Sequence, residues 1–317
     1  MTRRVQLAAI GAVSAMLFST AGWAADPASC KNVRFSDVGW TDITSTTAAT
    51  SVVLKALGYN PSAKVLSVPV TYKGLSSGEI DVFLGNWMPT MEGDIKEYRE
   101  DGTVETIARN LVGAKYTLAV NKLAADGGIK SFGDIAKYRE QLEGKIYGIE
   151  PGNDGNRLIQ DMIAKNAFGL KGFKVVESSE AGMLAQVVRA NRKKQWIVFL
   201  GWEPHPMNAK FDMTYLAGGD DWFGPNFGGA EVFTNVRKGY AEDCPNVGKL
   251  LKNLVFTLAM ENEIMTAILD EKNPQEPQKA ATAWLKKNPG ILKGWLKGVT
   301  TLSGGDGMAA VNKALGL

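Results

Sequence analysis

The sequence predicts an α/β protein of two units, in which parallel-rich sheets are flanked by helices and two crossover strands join the units. Short apolar runs alternate with helix-period segments in two successive series along the 317-residue chain, which is typical of parallel sheets with helices on both faces. After residue 236 the chain becomes almost entirely helical. Its composition, 45% hydrophobic and 22% charged, supplies a core and excludes disordered, collagen-like and coiled-coil proteins.

Residues 1–24 have the pattern of a cleaved export signal. Two arginines form a short basic start, and residues 7–18 form an apolar stretch that is too short to span a bilayer. The segment ending at Ala24 places small residues where signal peptidase cleaves, so we predict cleavage there rather than an uncleaved anchor or a buried helix. Since the chain has no other long apolar run, the sequence excludes a polytopic membrane protein.

The charge balance and the cysteines describe the exported chain. Removal of residues 1–24 takes away two arginines and no acid, so the formal net charge falls from +3 to +1. A nearly neutral chain lacks the basic footprint of a nucleic-acid or anionic-membrane partner. In an oxidising compartment Cys30 and Cys244, the two cysteines, predict one disulfide, with two buried thiols as the alternative.

The first series of elements occupies residues 25–110. Thr44 and Ser45 are candidate caps for its first helix, which Gly58 ends. The predicted strands cover residues 33–38, 64–70 and 80–84, and the predicted helices cover residues 46–57 and 91–100.

The second series occupies residues 111–229 and begins with a crossover strand. Its predicted strands cover residues 112–120, 145–149, 174–177 and 196–200, and its predicted helices cover residues 132–142, 157–168 and 181–193. Residues 205–229 are predicted to be loop. Within them, residues 219–229 carry Trp222, Phe223 and Phe227, which fit either a lid or a surface loop.

The remaining chain is predicted to return to the first unit. It consists of a strand over residues 231–236 and helices over residues 247–268, 278–287 and 308–315. If Cys30 binds Cys244, this tail packs on the first unit, and the chain crosses between the units near residues 110–113 and 227–230. We therefore predict domain I from residues 25–110 and 230–317, and domain II from residues 111–229, as a clamp with a two-strand hinge.

Tryptophans gather at the predicted strand ends, where open α/β sheets bind ligands. Core packing explains any one of them, but three in glycine-containing turns of both units, with a tyrosine in the crossover strand, predict one aromatic cleft. Aromatic faces suit a quaternary ammonium, which has no N–H to donate, at about 0.5–2 kcal/mol per ring. The predicted site residues are Trp40, Asp42, Trp87, Tyr116, Asn153 and Trp202.

The two polar residues of this set have alternative roles. Asp42 adds a negative charge near the aromatic cluster, or it forms a turn or cap before the first helix. Asn153 lies in a Gly-Asn-Asp-Gly-Asn segment and either bonds a ligand hydroxyl or shapes a turn.

Catalysis has little support in the sequence. His205 is the only histidine and stands between two prolines, which suits a structural role in a constrained turn. A zinc site would need further histidines or free cysteines, and a Ser-His-Asp triad would have to use His205. We therefore expect neither catalytic residues nor a metal or cofactor.

Several motifs together carry a resemblance that extends over the whole mature chain. They are Val38-Gly39-Trp40-Thr41-Asp42, Phe83-Leu84-Gly85-Asn86-Trp87-Met88-Pro89, Ala114-Lys115-Tyr116, Gly148-Ile149-Glu150-Pro151-Gly152-Asn153-Asp154 and Gly201-Trp202-Glu203-Pro204-His205-Pro206-Met207-Asn208. With these motifs the chain resembles the periplasmic substrate-binding proteins of ABC importers, specifically the glycine betaine/choline group.

The resemblance implies the two-domain periplasmic-binding-protein (Venus flytrap) fold and a function. By resemblance, an aromatic box is formed by Trp40, Trp87, Tyr116 and Trp202. By the same resemblance Asp42 lies beside the ammonium, Asn153 contacts the hydroxyl end of the ligand, and one disulfide is present. The closed, ligand-bound protein, a monomer by default, would dock on an ABC permease.

Asp42 decides the expected ligand. Its charge attracts choline and repels the carboxylate of a betaine, so we expect choline, with acetylcholine as a possible second ligand. The alternatives are a binding protein for glycine betaine, proline betaine or carnitine, an exported enzyme acting on choline esters through His205, and a purely structural exported protein.

Overall fold

The computed structural model describes residues 25–317, so the predicted export signal lies outside the described residues. Its strands are β1 (Asn32–Asp37), β2 (Asn60–Val65), β3 (Val82–Met88), β4 (Val104–Asn121), β5 (Lys145–Tyr147), β6 (Lys174–Val176), β7 (Val198–Glu203), β8 (Met213–Tyr215) and β9 (Gly229–Arg237). Its helices are α1 (Thr41–Ala56), α2 (Val68–Ser77), α3 (Glu92–Glu100), α4 (Lys122–Asp126), α5 (Phe132–Ile135), α6 (Asp154–Ala164), α7 (Glu180–Lys193), α8 (Met207–Lys210), α9 (Asp220–Phe223), α10 (Pro225–Gly228), α11 (Tyr240–Asp243), α12 (Pro245–Asn253), α13 (Leu258–Ile268), α14 (Pro277–Lys287), α15 (Leu292–Trp295) and α16 (Gly307–Leu315).

The strands of the described chain form one nine-stranded sheet in the order β2-β1-β3-β9-β4-β7-β5-β6, with β8 also paired to β4. β1 pairs in parallel with β2 and β3, and β5 pairs in parallel with β6 and β7. Between these groups, β9 runs antiparallel to β3 and β4, and β4 runs antiparallel to β7. The predicted two parallel-rich units with two crossover strands are confirmed.

The 18-residue strand β4 belongs to both halves of the sheet. Its first part pairs with β9, from Val104 opposite Arg237 to Lys115 opposite Gly229. From Lys115 onwards β4 pairs with β7. β4 thus leads from the first unit into the second, and β9 leads back.

The burial of the strands follows their position in the sheet. β3 and β7 are buried along nearly their whole length, as expected of strands covered by helices on both faces. β2 is largely exposed and contains Pro61, which fits an edge strand because proline donates no ladder hydrogen bond.

The helical tail packs on the first unit. α13, α14 and α16 all contact α1. Cys30 and Cys244 form the predicted disulfide, with their Cα atoms 5.6 Å apart and 214 residues apart in sequence. This connection is what the division into residues 25–110 with 230–317 and residues 111–229 requires, and the exact boundaries stay a prediction. Residues 25–110 and 230–317 are called the first unit below, and residues 111–229 are called the second unit.

Two predicted elements of the first unit differ from the structure. The strand predicted over residues 64–70 is the end of β2 followed by the helix α2, which has a proline in its first turn and ends at Gly78 in a left-handed conformation. Proline is favoured at a helix start, and the valines on both sides of it concealed this signal. The helix predicted from residue 46 begins five residues earlier, at Thr41.

The tail and the predicted loop also differ. The helix predicted over residues 247–268 is two helices, α12 and α13. Thr257 caps the second by accepting from the Met260 N–H at 3.1 Å, and the Phe256 N–H donates to the Asn110 carbonyl at 2.7 Å. Residues 205–229, predicted to be loop, contain the short elements α8, β8, α9 and α10. Among the described helices, none combines the length and the hydropathy needed to cross a bilayer.

Candidate functional site

Five of the six predicted site residues surround one small cavity. The residues that line it are Trp40, Asp42, Trp87, Tyr116, Ile149 and Trp202. Ile149, an apolar residue beyond β5, has no distinguishing signal in the sequence and was not predicted. Asn153, the sixth predicted residue, lies behind Tyr116 and does not line the cavity.

The cavity residues come from both units. Trp40 is the residue before α1, and Asp42 lies in the first turn of α1. Trp87 lies within β3. Tyr116 on β4 stands opposite Trp202 on β7 in the sheet register. Trp87 and Trp202 were predicted just beyond strand ends, but each strand continues through its glycine, so both rings are fixed by the sheet itself.

The rings stand edge to face around the cavity. The centroids of Trp87 and Tyr116 are 6.1 Å apart at an interplanar angle of 65°, and those of Tyr116 and Trp202 are 6.4 Å apart at 80°. The rings of Trp40, Trp87, Tyr116 and Trp202, called the cage below, are all buried. This geometry places four aromatic rings around one small volume, and electron-rich ring faces attract organic cations.

The polar atoms of three rings are hydrogen-bonded to protein groups, of which Asp42 lines the cavity and Glu150 and Asn153 do not. Trp40 donates from Nε1 to Glu150 Oε1 at 2.9 Å, and Trp87 donates from Nε1 to Asp42 Oδ2 at 3.2 Å. The Tyr116 hydroxyl donates to Asn153 Oδ1 at 2.9 Å. The hydrogen-bonding capacity of these rings is therefore used, and carbon surface faces the cavity.

Asp42 is the charged group of the cavity wall. It is 1% exposed, and its Oδ1 has no hydrogen-bond partner among the described residues. Burial, and next the charge of Glu180, raise the pKa of Asp42 well above its ordinary value. Asp42 lies inside the first turn of α1 and lines the cavity, so the alternative of a turn or cap before the helix is wrong; the N-cap is Trp40. A cation in the cavity would compensate this carboxylate.

Asn153 has a structural role that is visible in the fold. It is the N-cap of α6 and accepts from the Asn156 N–H at 3.1 Å. The same Oδ1 accepts from Tyr116, so Asn153 joins the start of a helix to a cavity ring. Glu150, three residues earlier, accepts the hydrogen bond from Trp40 Nε1, and burial raises the pKa of Glu150 to about 7.

The segment 219–229 supports the cage from behind. Phe223 is fully buried, and its ring stands edge to face with Tyr116 at 5.8 Å and 89°. Gly228 has φ +75°, and a Cβ there would lie 2.0 Å from the Tyr116 carbonyl oxygen. The segment is thus a support for Tyr116, whereas Phe227 at its tip is about half exposed.

His205 lies in a hydrogen-bonded turn, as predicted. Its Nδ1 accepts from the Met207 N–H at 2.9 Å, so Nε2 carries the proton and donates to Glu180 Oε1 at 3.1 Å. Glu180 also accepts hydrogen bonds from the backbone N–H and the hydroxyl of Thr41, which belongs to the first unit. Glu180 was not predicted as a site residue, since its partners are remote in sequence. No cluster of histidine, cysteine or acidic residues suited to a metal ion occurs in residues 25–317.

The chain is similar to known transport binding proteins. The family model of the substrate-binding domain of ABC-type glycine betaine transport systems matches residues 31–287. A solved ABC-transporter choline binding protein in complex with choline is 66% identical with a TM-score of 0.90, over 92% of this chain and 100% of that one. An ABC-transporter choline binding protein in an unliganded semi-closed conformation is also 66% identical, with a TM-score of 0.84 over 91% and 100% of the two chains.

A curated relative has a different stated ligand. The glycine betaine/carnitine transport binding protein GbuC of Listeria monocytogenes serotype 1/2a (strain 10403S) is 34% identical over 168 residues. These residues are 52% of this chain and 53% of that protein, so the match spans about half of each. At equal identity, the TM-score is higher for the choline complex than for the unliganded form.

Proposed function

This chain belongs to the family of substrate-binding domains of ABC-type glycine betaine transport systems, and on that premise we propose that it captures choline and delivers it to an ABC permease. The family consists of transport binding proteins and not of enzymes, in agreement with the expectation from the sequence. In this proposal the protein is a periplasmic monomer that closes on choline by a hinge of β4 and β9.

One observation carries the choice of ligand. The buried Asp42 carboxylate, with one oxygen unpartnered among the described residues, forms part of a wall that otherwise consists of aromatic and aliphatic side chains. A carboxylate in such surroundings is unfavourable unless a cation compensates it. A quaternary ammonium adds favourable contacts with the ring faces, so charge and shape favour the same chemical group.

Glycine betaine carries the same ammonium together with a carboxylate. That carboxylate needs cationic or N–H donors, and none of the residues that line the cavity is lysine, arginine or histidine. Asp42 would also repel it. The family description and the relative from Listeria support betaines as the alternative, and the test below includes them.

Each predicted site residue has a role in the proposal. Trp40, Trp87, Tyr116 and Trp202 enclose the ammonium, and Asp42 provides the counter-charge. Asn153 positions Tyr116 and lies towards the hydroxyl end of choline. Because the cage draws on both units, bound choline favours the closed arrangement by its differential affinity.

The experiment is a tryptophan-fluorescence titration of protein freed of carried-over ligand by partial unfolding and refolding. Choline, acetylcholine, glycine betaine, proline betaine and carnitine are compared, and choline is expected to saturate the change at the lowest concentration. Trp196→Phe is the matched control, because the Trp196 ring packs at a tilt against Tyr138, with centroids 5.1 Å apart, and does not line the cavity. Preference for a betaine would overturn the choline assignment, and a lack of response to every ligand would overturn the cage.

A further inference from the structure

We propose that Thr41, Glu180 and His205 form an interdomain latch that ties closure of the two units to occupancy of the cage. This inference rests on the proposed function and concerns three residues outside the cage wall. Thr41 belongs to the first unit, whereas Glu180 and His205 belong to the second. Glu180 is the positioning residue of the latch, and His205, the single histidine of the chain, donates a hydrogen bond to it.

Glu180 is buried between the units, and both of its carboxylate oxygens accept hydrogen bonds. Its Oε2 accepts from the Thr41 N–H at 2.8 Å, and its Oε1 accepts from the Thr41 hydroxyl at 2.5 Å. His205 donates from Nε2 to the same Oε1 at 3.1 Å. Hydrogen bonds to an ionised acceptor in a buried position are stronger than neutral ones, so this contact favours the arrangement in which the units meet.

The contact also completes a helix. Trp40, at the N-cap of α1, makes no side-chain capping bond, although the first N–H groups of a helix need acceptors. Glu180 supplies one from the other unit, 139 residues away in sequence. Separation of the units would leave the Thr41 N–H without this cap and would remove two hydrogen bonds from Glu180.

The latch is joined to the cage at both ends. Thr41 stands between the cage residues Trp40 and Asp42 in the chain. On the other side, the His205 ring stands edge to face with Trp202, with centroids 4.9 Å apart. A shift of the cage walls therefore moves both ends of the latch, which gives a direct path from ligand contact to interdomain contact.

A second interdomain contact is more exposed and serves as a comparison. Arg157 of the second unit donates to Asp94 Oδ2 at 2.7 Å and to the Thr90 carbonyl at 3.1 Å in the first unit. The Arg157 side chain is 37% exposed, whereas Glu180 is 5% exposed. Exposed ion pairs are screened by water and salt, so the latch is the contact that contributes more to closure.

The test measures choline association and dissociation by stopped-flow fluorescence for Thr41→Val and Glu180→Gln. Thr41→Val removes only the hydroxyl bond and is expected to raise the dissociation rate about tenfold, the order of one bond to a charged group. Glu180→Gln is expected to raise it by about tenfold to 100-fold. Association is expected to stay within about threefold, since affinity changes fall mainly on dissociation.

Thr47→Val is the matched control, because Thr47 lies on the same helix, is buried, and has a hydroxyl without a partner among the described residues. Its rates are expected to equal those of the wild type. Wild-type dissociation rates in both Thr41→Val and Glu180→Gln, with only the melting temperature lowered, would show a merely structural role and overturn the latch.

Small-angle X-ray scattering separates this proposal from the proposed function. If the wild type binds none of the ligands tested, the proposed function fails, and the latch fails with it because it depends on occupancy. If the wild type and Glu180→Gln both bind choline, a larger decrease in the radius of gyration of the wild type on saturation would support the latch, and equal decreases would overturn the latch alone.

Discussion

The two sides of the cavity are held in different ways. Tyr116 and Trp202, on the side of the second unit, lie opposite each other on paired strands. Tyr116 has further support from Asn153, Phe223 and Gly228, all within its own unit. This side is formed whether or not the units meet.

The side of the first unit depends on the other unit. Trp40 of the first unit donates a hydrogen bond to Glu150 of the second unit. Glu180 of the second unit accepts from the Thr41 N–H at the start of α1. Asp42 bonds Trp87 within its own side but keeps one oxygen unpartnered among the described residues. The difference indicates that the second unit provides a preformed surface, whereas the charged side is completed by closure and ligand. Substitutions on the two sides should therefore have different effects.

The largest effect is expected at Asp42. Asp42→Asn should weaken choline binding by about 100-fold or more, near 3 kcal/mol, because a buried charge pair loses one partner. The unliganded variant should melt at a higher temperature, since an uncompensated buried carboxylate is gone. Isothermal titration calorimetry and differential scanning calorimetry measure the two quantities.

Glu261→Gln is the control for Asp42→Asn. Glu261 is a buried carboxyl whose pKa is raised by burial and then by the charge of Asp42, and it does not line the cavity. Its replacement should keep choline affinity within about threefold of the wild type. Equal losses of affinity in both variants would show that Asp42 acts through general charge and not as a wall of the cavity.

The interdomain bond of Trp40 predicts a pH effect on stability. The pKa of Glu150 is raised from 4.5 to about 7 by burial, so the folded protein binds more protons than the unfolded chain between these values. Stability contributed by Glu150 therefore falls as pH rises from about 4.5 to 7. Glu150→Gln should gain stability over the wild type across this window, by at most about 3 kcal/mol.

Urea unfolding at a series of pH values measures this difference. Above pH 7 the difference should be constant. If the difference in the free energy of unfolding between the wild type and Glu150→Gln stays constant from pH 4.5 to 7, the raised pKa of Glu150 is contradicted. The burial of the hydrogen bond between Trp40 and Glu150 is then contradicted with it.

The support behind Tyr116 is tested by two glycines. Gly228→Ala places a Cβ 2.0 Å from the Tyr116 carbonyl oxygen, whereas Gly218 has a similar positive φ and no atom within 4 Å of its Cβ position. Gly218→Ala should cost about 1 kcal/mol of stability, the penalty of a left-handed conformation. Gly228→Ala should cost clearly more, about 2 kcal/mol or above, and should weaken choline binding.

Urea unfolding and calorimetry on the two variants make this comparison. Equal stability and equal choline affinity in Gly228→Ala and Gly218→Ala would show that the segment 219–229 does not support the cage.

The smallest effect is expected at the Tyr116 hydroxyl. Tyr116→Phe keeps the ring and removes the bond to Asn153, a neutral hydrogen bond worth about 0.5–1.5 kcal/mol. Choline affinity should fall by about two- to tenfold, as measured by fluorescence titration. A loss near that of Asp42→Asn would mean that the second side is not preformed.

The gathering of three tryptophans around one cavity could be predicted from the sequence because its signals are local. Trp40, Trp87 and Trp202 each follow an apolar strand-like run and a glycine, and strand ends of α/β sheets converge. Glu180 carried no such signal, since its role depends on Thr41 and His205, which only the folded chain brings to it. For the same reason the true start of α1 was missed, because its cap comes from another unit.

Local propensity misled where tertiary contacts decide. The β-branched residues around Pro69 predicted a strand, but proline in the first turn and the left-handed Gly78 define α2. Phe223 was one of three aromatic residues in a predicted loop, and only its packing on Tyr116 shows that it supports the site.

The central claim is that the cavity recognises positive charge. Isothermal titration calorimetry of the wild type with choline and with 3,3-dimethyl-1-butanol, its neutral isostere, tests this claim most directly, because the two ligands share a shape and differ in charge. The account predicts that the alcohol binds at least about 100-fold more weakly, since it loses the Asp42 charge and the ring-face attraction. Equal affinities would contradict it and show a cavity selected by shape alone.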